Sequence, residues 1–550
     1  MRLSARAHSR IEVTLVGAAV TAAVAAGSVT KLLPVGGFND DAMYVALGRA
    51  IATGAGYRSI YLVDAPLHVK YPPLLPALLA LCWRVGGGLE AVQALALGIN
   101  LAACGMAAAM LWWIARIRLG IPAALIAAAT IVGFLLDPSV QYFTLVLSEP
   151  LFILGWASVL VLYERWRSGT PDSRQQSALA LGLTLAAAAL TRGEGVVLVP
   201  AVLLALALDG ASRREWATAA AAALLPLALW HGGLALAVHR SALTAELNER
   251  GYLEFLLSGS PATVVAGELR TIGQNVRGYA SILSPFFSGF PTIGWAATAT
   301  FVLALVRGAF LLRHKSRALV FSTLAMLAVV LAWPALQDRL LVPLLPFAAI
   351  VGAYTFHVAI ESMFTNPTKR RMAHAIVASG GVLVLLRQAG IRHDARRARA
   401  EGRPPRVMTP SAWMPDNAAF VLTLAKWATA TTRPDDRIAV AAAPGVWLHS
   451  GRRTQPTEFA EPVGVPSVFD VPGRYLASLL ASGRATVVVV ESPDAPIARD
   501  VMVVRRRCPH SLDPMPGFPG PAFYRFYRAP PDSACLAALR DSLRDNPLVH

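Results

Sequence analysis

Long unbroken apolar runs govern what this chain can fold into. Hydrocarbon offers backbone N–H and C=O groups no partner, so a run of roughly 20 apolar residues crosses a bilayer as a helix. Such runs recur up to about residue 390 and then stop. Composition agrees, because 15% of the 550 residues are charged and 55% hydrophobic, whereas an average soluble domain is about 25% charged. The fold class expected is a polytopic α-helical membrane protein with about eleven transmembrane helices, followed by a small C-terminal α/β domain. The boundary falls between a transmembrane domain at 1–390 and a tail at 391–550.

The spans read at 11–34, 90–114, 120–136, 150–163, 176–190, 195–208, 216–238, 292–312, 318–335, 340–360 and 372–390. Arg2, Arg6 and Arg10 before the first run mimic a secretory signal. The run outlasts the apolar core of such a signal, so it reads as a retained span with a cytoplasmic N-terminus. Basic residues cluster before the first span and after the second, fourth, sixth, eighth and tenth, at Arg116, Arg165, Arg213, Arg313 and Arg370 among others. Every second loop is therefore basic, and the positive-inside rule places those loops in the cytoplasm. The net charge of +17 reads as this topology. A nucleic-acid binder would instead show a soluble basic domain with interleaved aromatics.

The same rule places a first outer loop at 36–89, a long polar outer loop at 239–291 and the whole tail on the extracytoplasmic side of a cell (inner) membrane. Short apolar helices are expected at 42–52 and 74–85 within the first loop. That loop breaks the rule by retaining Arg49, Arg58, Lys70 and Arg84, which suggests a role in holding an anion. In the tail, 416–430 reads as an amphipathic helix, 437–443 and 485–491 as buried strands, and 523–528 as a half-buried strand. The run of four valines from Val487 suits a parallel strand covered on both faces. Cys82 and Cys104 sit in apolar segments and read as packing residues. Cys508 and Cys535 either pair in an oxidising compartment or remain two thiols.

Charges that carry chemistry gather at the outer ends. Asp40 and Asp41 follow the first span. They read equally as first-turn acids behind an Asn39 cap, or as a carboxylate base held at the membrane surface. Lys70-Tyr71 precede Pro72-Pro73, where a helix start beside a lysine suits a phosphate. The alternative is an interfacial anchor. Glu149 opens the fourth span, Arg192 and Glu194 form the tight turn after the fifth, and Arg339 precedes the tenth. Each charge is cheap to keep near an interface, so the convergence of all of them on one face is the signal. There is no Walker A pattern, no GxGxxG after a strand and no HExxH, which argues against a nucleotide-driven machine or a zinc protease of that type.

The Asp40-Asp41 pair, the Tyr71-Pro72-Pro73 turn, Ser148-Glu149-Pro150, the Thr191-to-Gly195 turn and Asp338-Arg339 followed by Pro343 and Pro346 together resemble the GT-C superfamily. These are membrane glycosyltransferases that use polyprenyl-phosphate sugars, with protein O-mannosyltransferases and bacterial aminoarabinose transferases among them. In the tail, Trp427, Arg433-Pro434-Asp435-Asp436-Arg437 and Trp447 to Arg452 are similar to the outer domain of bacterial members. The resemblance implies an inverting glycosyltransferase moving a hexosyl or pentosyl unit from a polyprenyl-phosphate donor to a hydroxyl of a lipid, glycan or protein. It implies Asp40 or Asp41 as base, with Asp40 preferred. Lys70 and Arg339 would hold the lipid phosphate, and Tyr71, Arg58, Glu149, Arg192 and Glu194 would line the substrate site. No metal ligands are implied, although a divalent metal serves some relatives. The chain departs from the pattern at Asp41, Gly193 and Leu340, where relatives often carry Glu, Pro and Tyr. A transporter or flippase of lipid-linked glycans and a non-catalytic membrane scaffold are the other classes such a chain admits. The inverted repeats and midplane helix breaks of many transporters are not evident in the sequence.

Overall fold

The computed structural model describes residues 5–31, 33–238, 261–333, 336–457, 471–515, 525–528 and 534–544. Helices dominate to residue 431, and each apolar run falls on one of them. Five described helices are long and apolar enough to cross a membrane: Leu89–Arg118, Arg213–Leu234, Pro291–Leu312, Leu345–Met363 and Pro367–Ala400. A sixth candidate is the pair Ala123–Phe134 and Asp137–Phe143, bent by 64°. The other expected spans lie on helices that are shorter or more charged, including Ile11–Gly27, Gly193–Leu208 and Arg317–Ala332, and Glu149–Arg167 and Pro171–Thr191. The chain is thus a multi-pass helical membrane protein.

Small residues let the helices approach closely. Helix Ala5–Gly27 packs on Leu89–Trp113 where Gly17 meets Gly105. A β-carbon on Gly105 would stand 2.8 Å from the Gly17 carbonyl oxygen. Between lipid-facing helices, where water drives nothing together, such backbone proximity is a main source of affinity.

Three expectations are corrected by the structure. The first helix stops at Gly27, not near residue 34. Ser28 and Thr30 turn their hydroxyls onto Thr144, at 2.5 and 2.6 Å, and Gln141 Oε1 accepts from the Val29 amide at 2.9 Å. These local bonds compete with the helical ladder and end it. The supposed polar outer loop at 239–291 contains the helix Pro261–Phe287, while 239–260 lies outside the described residues. Its buried Asn275, Tyr279, Leu283 and Phe286 recur at helical spacing, and Asn275 Nδ2 donates to the carbonyls of Leu331 and Trp333 at 2.8 and 2.6 Å. Helix Pro367–Ala400 runs ten residues past the expected end of the last span, and its 34 residues extend roughly 50 Å.

The tail carries a five-stranded sheet of order β2-β1-β3-β5-β4. The strands are β1 (Arg437–Val440), β2 (Arg453–Pro456), β3 (Val487–Val490), β4 (Asp513–Pro514) and β5 (Arg525–Arg528). β1 pairs in parallel with β2 and β3, and β5 runs antiparallel to β3 and β4. Consecutive residues of a strand face opposite sides. Ile438, Val440, Val487 and Val489 join the core of the helical bundle, whereas Ala439, Val488 and Val490 join a second core with Leu476, Ile497 and Val501. Both faces are covered, which is why the four valines need no alternation. Arg528 locks β5 to the start of β1 by donating both terminal nitrogens to Asp436 at 2.9 Å. Of the two states left open for Cys508 and Cys535, the structure has the disulfide, with Cα atoms 5.9 Å apart. Cys82 and Cys104 are free and buried.

The tail seats on the first loop. Tyr61 accepts from the Thr454 amide at 2.9 Å, the Val35 carbonyl bonds His449 Nε2 at 2.8 Å, and Arg484 pairs with Asp64 at 3.0 Å. Gly36 and Gly37 pass directly beneath Gly445 and Ala418. Helices Pro410–Thr431 and Ala443–Ser450 of the tail therefore roof the segment that carries Asp40 and Asp41.

Candidate functional site

Residues from five distant stretches of sequence converge beneath that roof. Helices Asp40–Ala52 and Glu149–Arg167 both begin there. The turn at Arg192 ends helix Pro171–Thr191. Arg339 lies in the short helix Asp338–Leu341 that leads into Leu345–Met363. Lys70 and Tyr71 arrive from the loop ahead of helix Leu74–Gly86. A carboxylate at a helix start gains from the partial positive charge of unpaired amides, which explains in part why Asp40 and Glu149 stand where they do.

Arg339 is the hinge of the cluster. Its Nε donates to Glu149 Oε1 and its Nη1 to Asp40 Oδ2, while its guanidinium lies over the Phe38 ring, 5.0 Å from the centroid. Arg192 Nη1 reaches the same Glu149 Oε1 at 2.7 Å, and Nη2 reaches Glu194 at 3.1 Å. Glu149 is fully buried, and both arginines are about as dry. The other oxygen, Glu149 Oε2, and Arg192 Nε are buried without a hydrogen bond to another described residue. Orphaned buried polar atoms are rare in folded proteins and mark places where something else binds or where function outranks stability.

The two aspartates play different parts. Asp41 is buried and accepts from the Gly36 amide at 3.0 and 3.1 Å and from the Ala42 amide at 2.7 Å. Burial pushes its pKa up to about 6, although those amides oppose the shift. Asp40 remains 24% exposed. Burial raises its pKa too, but the charges of Arg339 and Lys70 and a hydrogen bond from Tyr71 outweigh it, and the net shift is downward. Asn39 does not cap the helix. It adopts φ 57°, and its side chain makes no capping bond. The oxygen that holds the turn is Asp41's, so first-turn capping accounts for Asp41 and leaves Asp40 free for other work.

Lys70 sits 5.3 Å from the centroid of the Tyr71 ring and contributes to the field on Asp40. Tyr71 stacks on His68 at 5.3 Å, and its amide donates to His68 Nε2 at 3.1 Å. Burial, aided by Lys70, lowers the His68 pKa to about 3. The ring is therefore neutral, and with Nε2 accepting, Nδ1–H donates to Ser59 Oγ at 3.1 Å. Tyr57 pins the turn by donating to the Tyr71 and Pro72 carbonyls at 2.8 and 3.2 Å.

Of the residues singled out in the sequence, Asp40, Lys70, Tyr71, Glu149, Arg192, Glu194 and Arg339 are brought together. Asp41 stands one layer below. Arg58 is exposed and donates to the Ala65 carbonyl at 3.1 Å, so it closes its own loop. Arg49, read as an anion holder, lies between Trp83 and Trp447 at 5.4 and 5.2 Å and ties the first loop to the tail. The sequence reading missed Tyr44, whose hydroxyl bonds Ser148 at 3.3 Å. Its position four residues after Asp40, on one helix face, was the available signal. It also missed Tyr142, which donates to Asp338 at 2.8 Å and packs on Phe38. The residues at the cluster do not form a set of three His, Cys, Asp or Glu ligands close enough for one metal ion, among the described residues.

No protein-family model matches the chain, and no curated protein matches it. Solved structures do. The ArnT of Cupriavidus metallidurans bound to undecaprenyl phosphate aligns with a TM-score of 0.54 at 13% identity, covering 95% of this chain and 98% of that one. The same ArnT in its apo state aligns at 0.53 and 12%, covering 89% and 93%. The Archaeoglobus fulgidus oligosaccharyltransferase in its apo form aligns at 0.52 and 13%, covering 87% of this chain and 69% of that one. At such identities the likeness is one of fold alone.

Proposed function

We propose that this chain, built on a GT-C fold, is an inverting glycosyltransferase that takes a sugar from a polyprenyl-phosphate donor at the extracytoplasmic face of a cell membrane. The observation that carries the reading is a half-open carboxylate, Asp40, clamped by Arg339 beside Lys70. One group can take a proton and its neighbours can take a phosphate. The undecaprenyl phosphate bound by the ArnT neighbour supports a lipid of that class. The alternating basic loops support a cytoplasmic N-terminus and an extracytoplasmic tail.

In this mechanism the acceptor hydroxyl attacks C1 of the sugar from the face opposite the phosphate. The C1–O bond to phosphate breaks, and the leaving polyprenyl phosphate keeps the electron pair. Asp40 receives the hydroxyl proton. A carboxylate with a depressed pKa is a weak base, and Arg339 is what depresses it. When a phosphate draws Arg339 and Lys70 to itself, Asp40 loses part of that stabilisation and its basicity rises as the donor binds. The same cations then meet the charge that develops on the leaving group, which is where preorganised donors act most strongly. Glu149 holds Arg339 and Arg192 in place for that exchange.

The test is incubation of purified chain with a panel of polyprenyl-phosphate monosaccharides and candidate acceptors, scoring free lipid phosphate. Asp40→Asn should lower transfer by about 10²–10⁴-fold while membrane abundance is unchanged. Unaltered transfer by that variant would sink Asp40 as the base. No transfer by wild-type chain with any donor, alongside lipid-linked glycan movement across vesicles, would favour a flippase.

A further inference from the structure

The opposite end of the bundle holds a cluster that this mechanism does not use. His357 and Glu361 lie in the last turns of helix Leu345–Met363, and their i, i+4 spacing puts them on one face. The chain reverses over 364–366, and helix Pro367–Ala400 returns His374 to the same spot. The two imidazole rings are 5.9 Å apart. His357 Nδ1 is 4.0 Å from Glu361 Oε1. One ligand atom from each of the three residues lies within 4.8 Å of the other two.

A second observation points to a ligand. His374 is 7% exposed. Its Nε2 and the Nδ1 of His357 are buried without a hydrogen-bond partner among the described residues. Two unused imidazole nitrogens facing one carboxylate make an arrangement that is costly when empty and satisfied by one cation.

We propose that His357, Glu361 and His374 bind a divalent transition-metal ion, with Zn²⁺ the best match. Two imidazoles and a carboxylate suit Zn²⁺, Ni²⁺ or Cu²⁺, whereas Mg²⁺ and Ca²⁺ prefer all-oxygen shells. Ligand atoms at about 2.0–2.2 Å from a tetrahedral ion stand roughly 3.5 Å apart, so loading closes the trio by about 1 Å. Three protein ligands leave a fourth position for water. Arg370 pairs with Glu361 Oε2 at 2.5 Å, leaving Oε1 for the ion, and Lys315 sits over the Tyr354 ring at 5.3 Å. With two cations beside it, the site depends on imidazole donors rather than on negative charge. That disfavours the hard ions further.

Leu345 and Glu361 are 16 residues apart on one helix, so the metal cluster lies roughly 24 Å from the end that adjoins Arg339. The ion therefore does not reach the transfer site. It fastens the hairpin joining the helix that follows Arg339 to the helix that leads into the tail.

The experiment uses the full chain in detergent, with any purification tag removed and metal stripped by chelator. Zn²⁺ is titrated against a chromophoric competitor, and thermal unfolding is followed with and without it. About one equivalent should bind, with a rise in Tm. The double variant His357→Ala, His374→Ala should bind about tenfold less or weaker still, with no Tm response. In case that variant does not fold, wild-type chain loaded with Cu²⁺ gives an independent reading, because pulsed EPR counts coordinated imidazole nitrogens and should find two residues' worth. A wild-type chain that takes up less than about 0.1 equivalent, a double variant that binds like wild type, or a Cu²⁺ spectrum without imidazole nitrogen would each overturn the assignment.

Discussion

Helix Glu149–Arg167 carries a buried glutamate near each end, and the protein treats the two differently. At the far end, Glu164 is met on both oxygens. Arg118 approaches Oε2 at 3.5 Å, while Arg167 and Ser316 approach Oε1 at 3.4 and 3.3 Å. Arg167 also reaches Asp209, at 3.2 Å, and Arg317 pairs with Asp209 too. These arginines are 22–30% exposed and keep part of their hydration. At the near end, Glu149 shares one oxygen between two dry arginines and leaves the other without a hydrogen bond to another described residue. The same ion-pair chemistry is thus complete and wet at one end, incomplete and dry at the other. Of the two orphaned atoms at the near end, Arg192 Nε–H is the donor that an anion could meet on the proposed mechanism.

Glu149→Gln against Glu164→Gln sharpens this contrast with the largest effect. Removing Glu149 strands buried guanidinium charge and should cost about 3–5 kcal/mol, read as a large fall in Tm in detergent. Removing Glu164 releases arginines that can turn to water and should cost about 1 kcal/mol or less. Equal losses would erase the distinction between the two ends.

A smaller effect follows from Asp41. Its pKa is raised from 3.8 to about 6 by burial, so the folded protein keeps a proton between those values that the unfolded chain has lost. The stabilisation is complete below about pH 4 and disappears as pH rises through 6, with a ceiling of about 3 kcal/mol. Asp500 in the tail is raised to about 6 by burial in the same sense. Stability should therefore fall between pH 4 and 7, and Asp41→Asn should remove part of that slope. A slope unchanged in the variant would place the titration elsewhere.

The smallest effect tests whether the outer arginines outside the cluster belong to it. Arg49→Ala removes two indole contacts, worth about 1 kcal/mol together. It should loosen the tail, seen as faster proteolysis after residue 431, without altering sugar transfer. A loss of transfer at unchanged tail protection would return Arg49 to the site.

Much of this arrangement was legible in the sequence, for a physical reason. Charges at span ends are few, so Asp40, Glu149, Arg192 and Arg339 stand out against an apolar background, and alternating loop charge sorts them to one face. Helix Pro261–Phe287 was missed because Glu268, Arg270, Gln274 and Arg277 mask an amphipathic pattern, and a hydropathy reading registers only mean polarity. The end of the first helix was misplaced because Ser28 and Thr30 find partners in Gln141 and Thr144, more than a hundred residues away. The two readings of Asn39, Asp40 and Asp41 stayed open for a similar reason, since which oxygen holds the turn depends on where the Gly36 amide points. The partners of Arg49 and Arg58 are likewise set by tertiary approach.

The two anchored ends of helix Glu149–Arg167 also limit how the molecule can open. A one-turn slide of about 5.4 Å along its axis would tear both ion networks at once, so this helix cannot work as a piston. On the proposed mechanism the donor headgroup enters by side-to-side parting of neighbours, or by movement of the 57–71 loop, which must first release the ties of Tyr61, Leu62 and Asp64 to the tail.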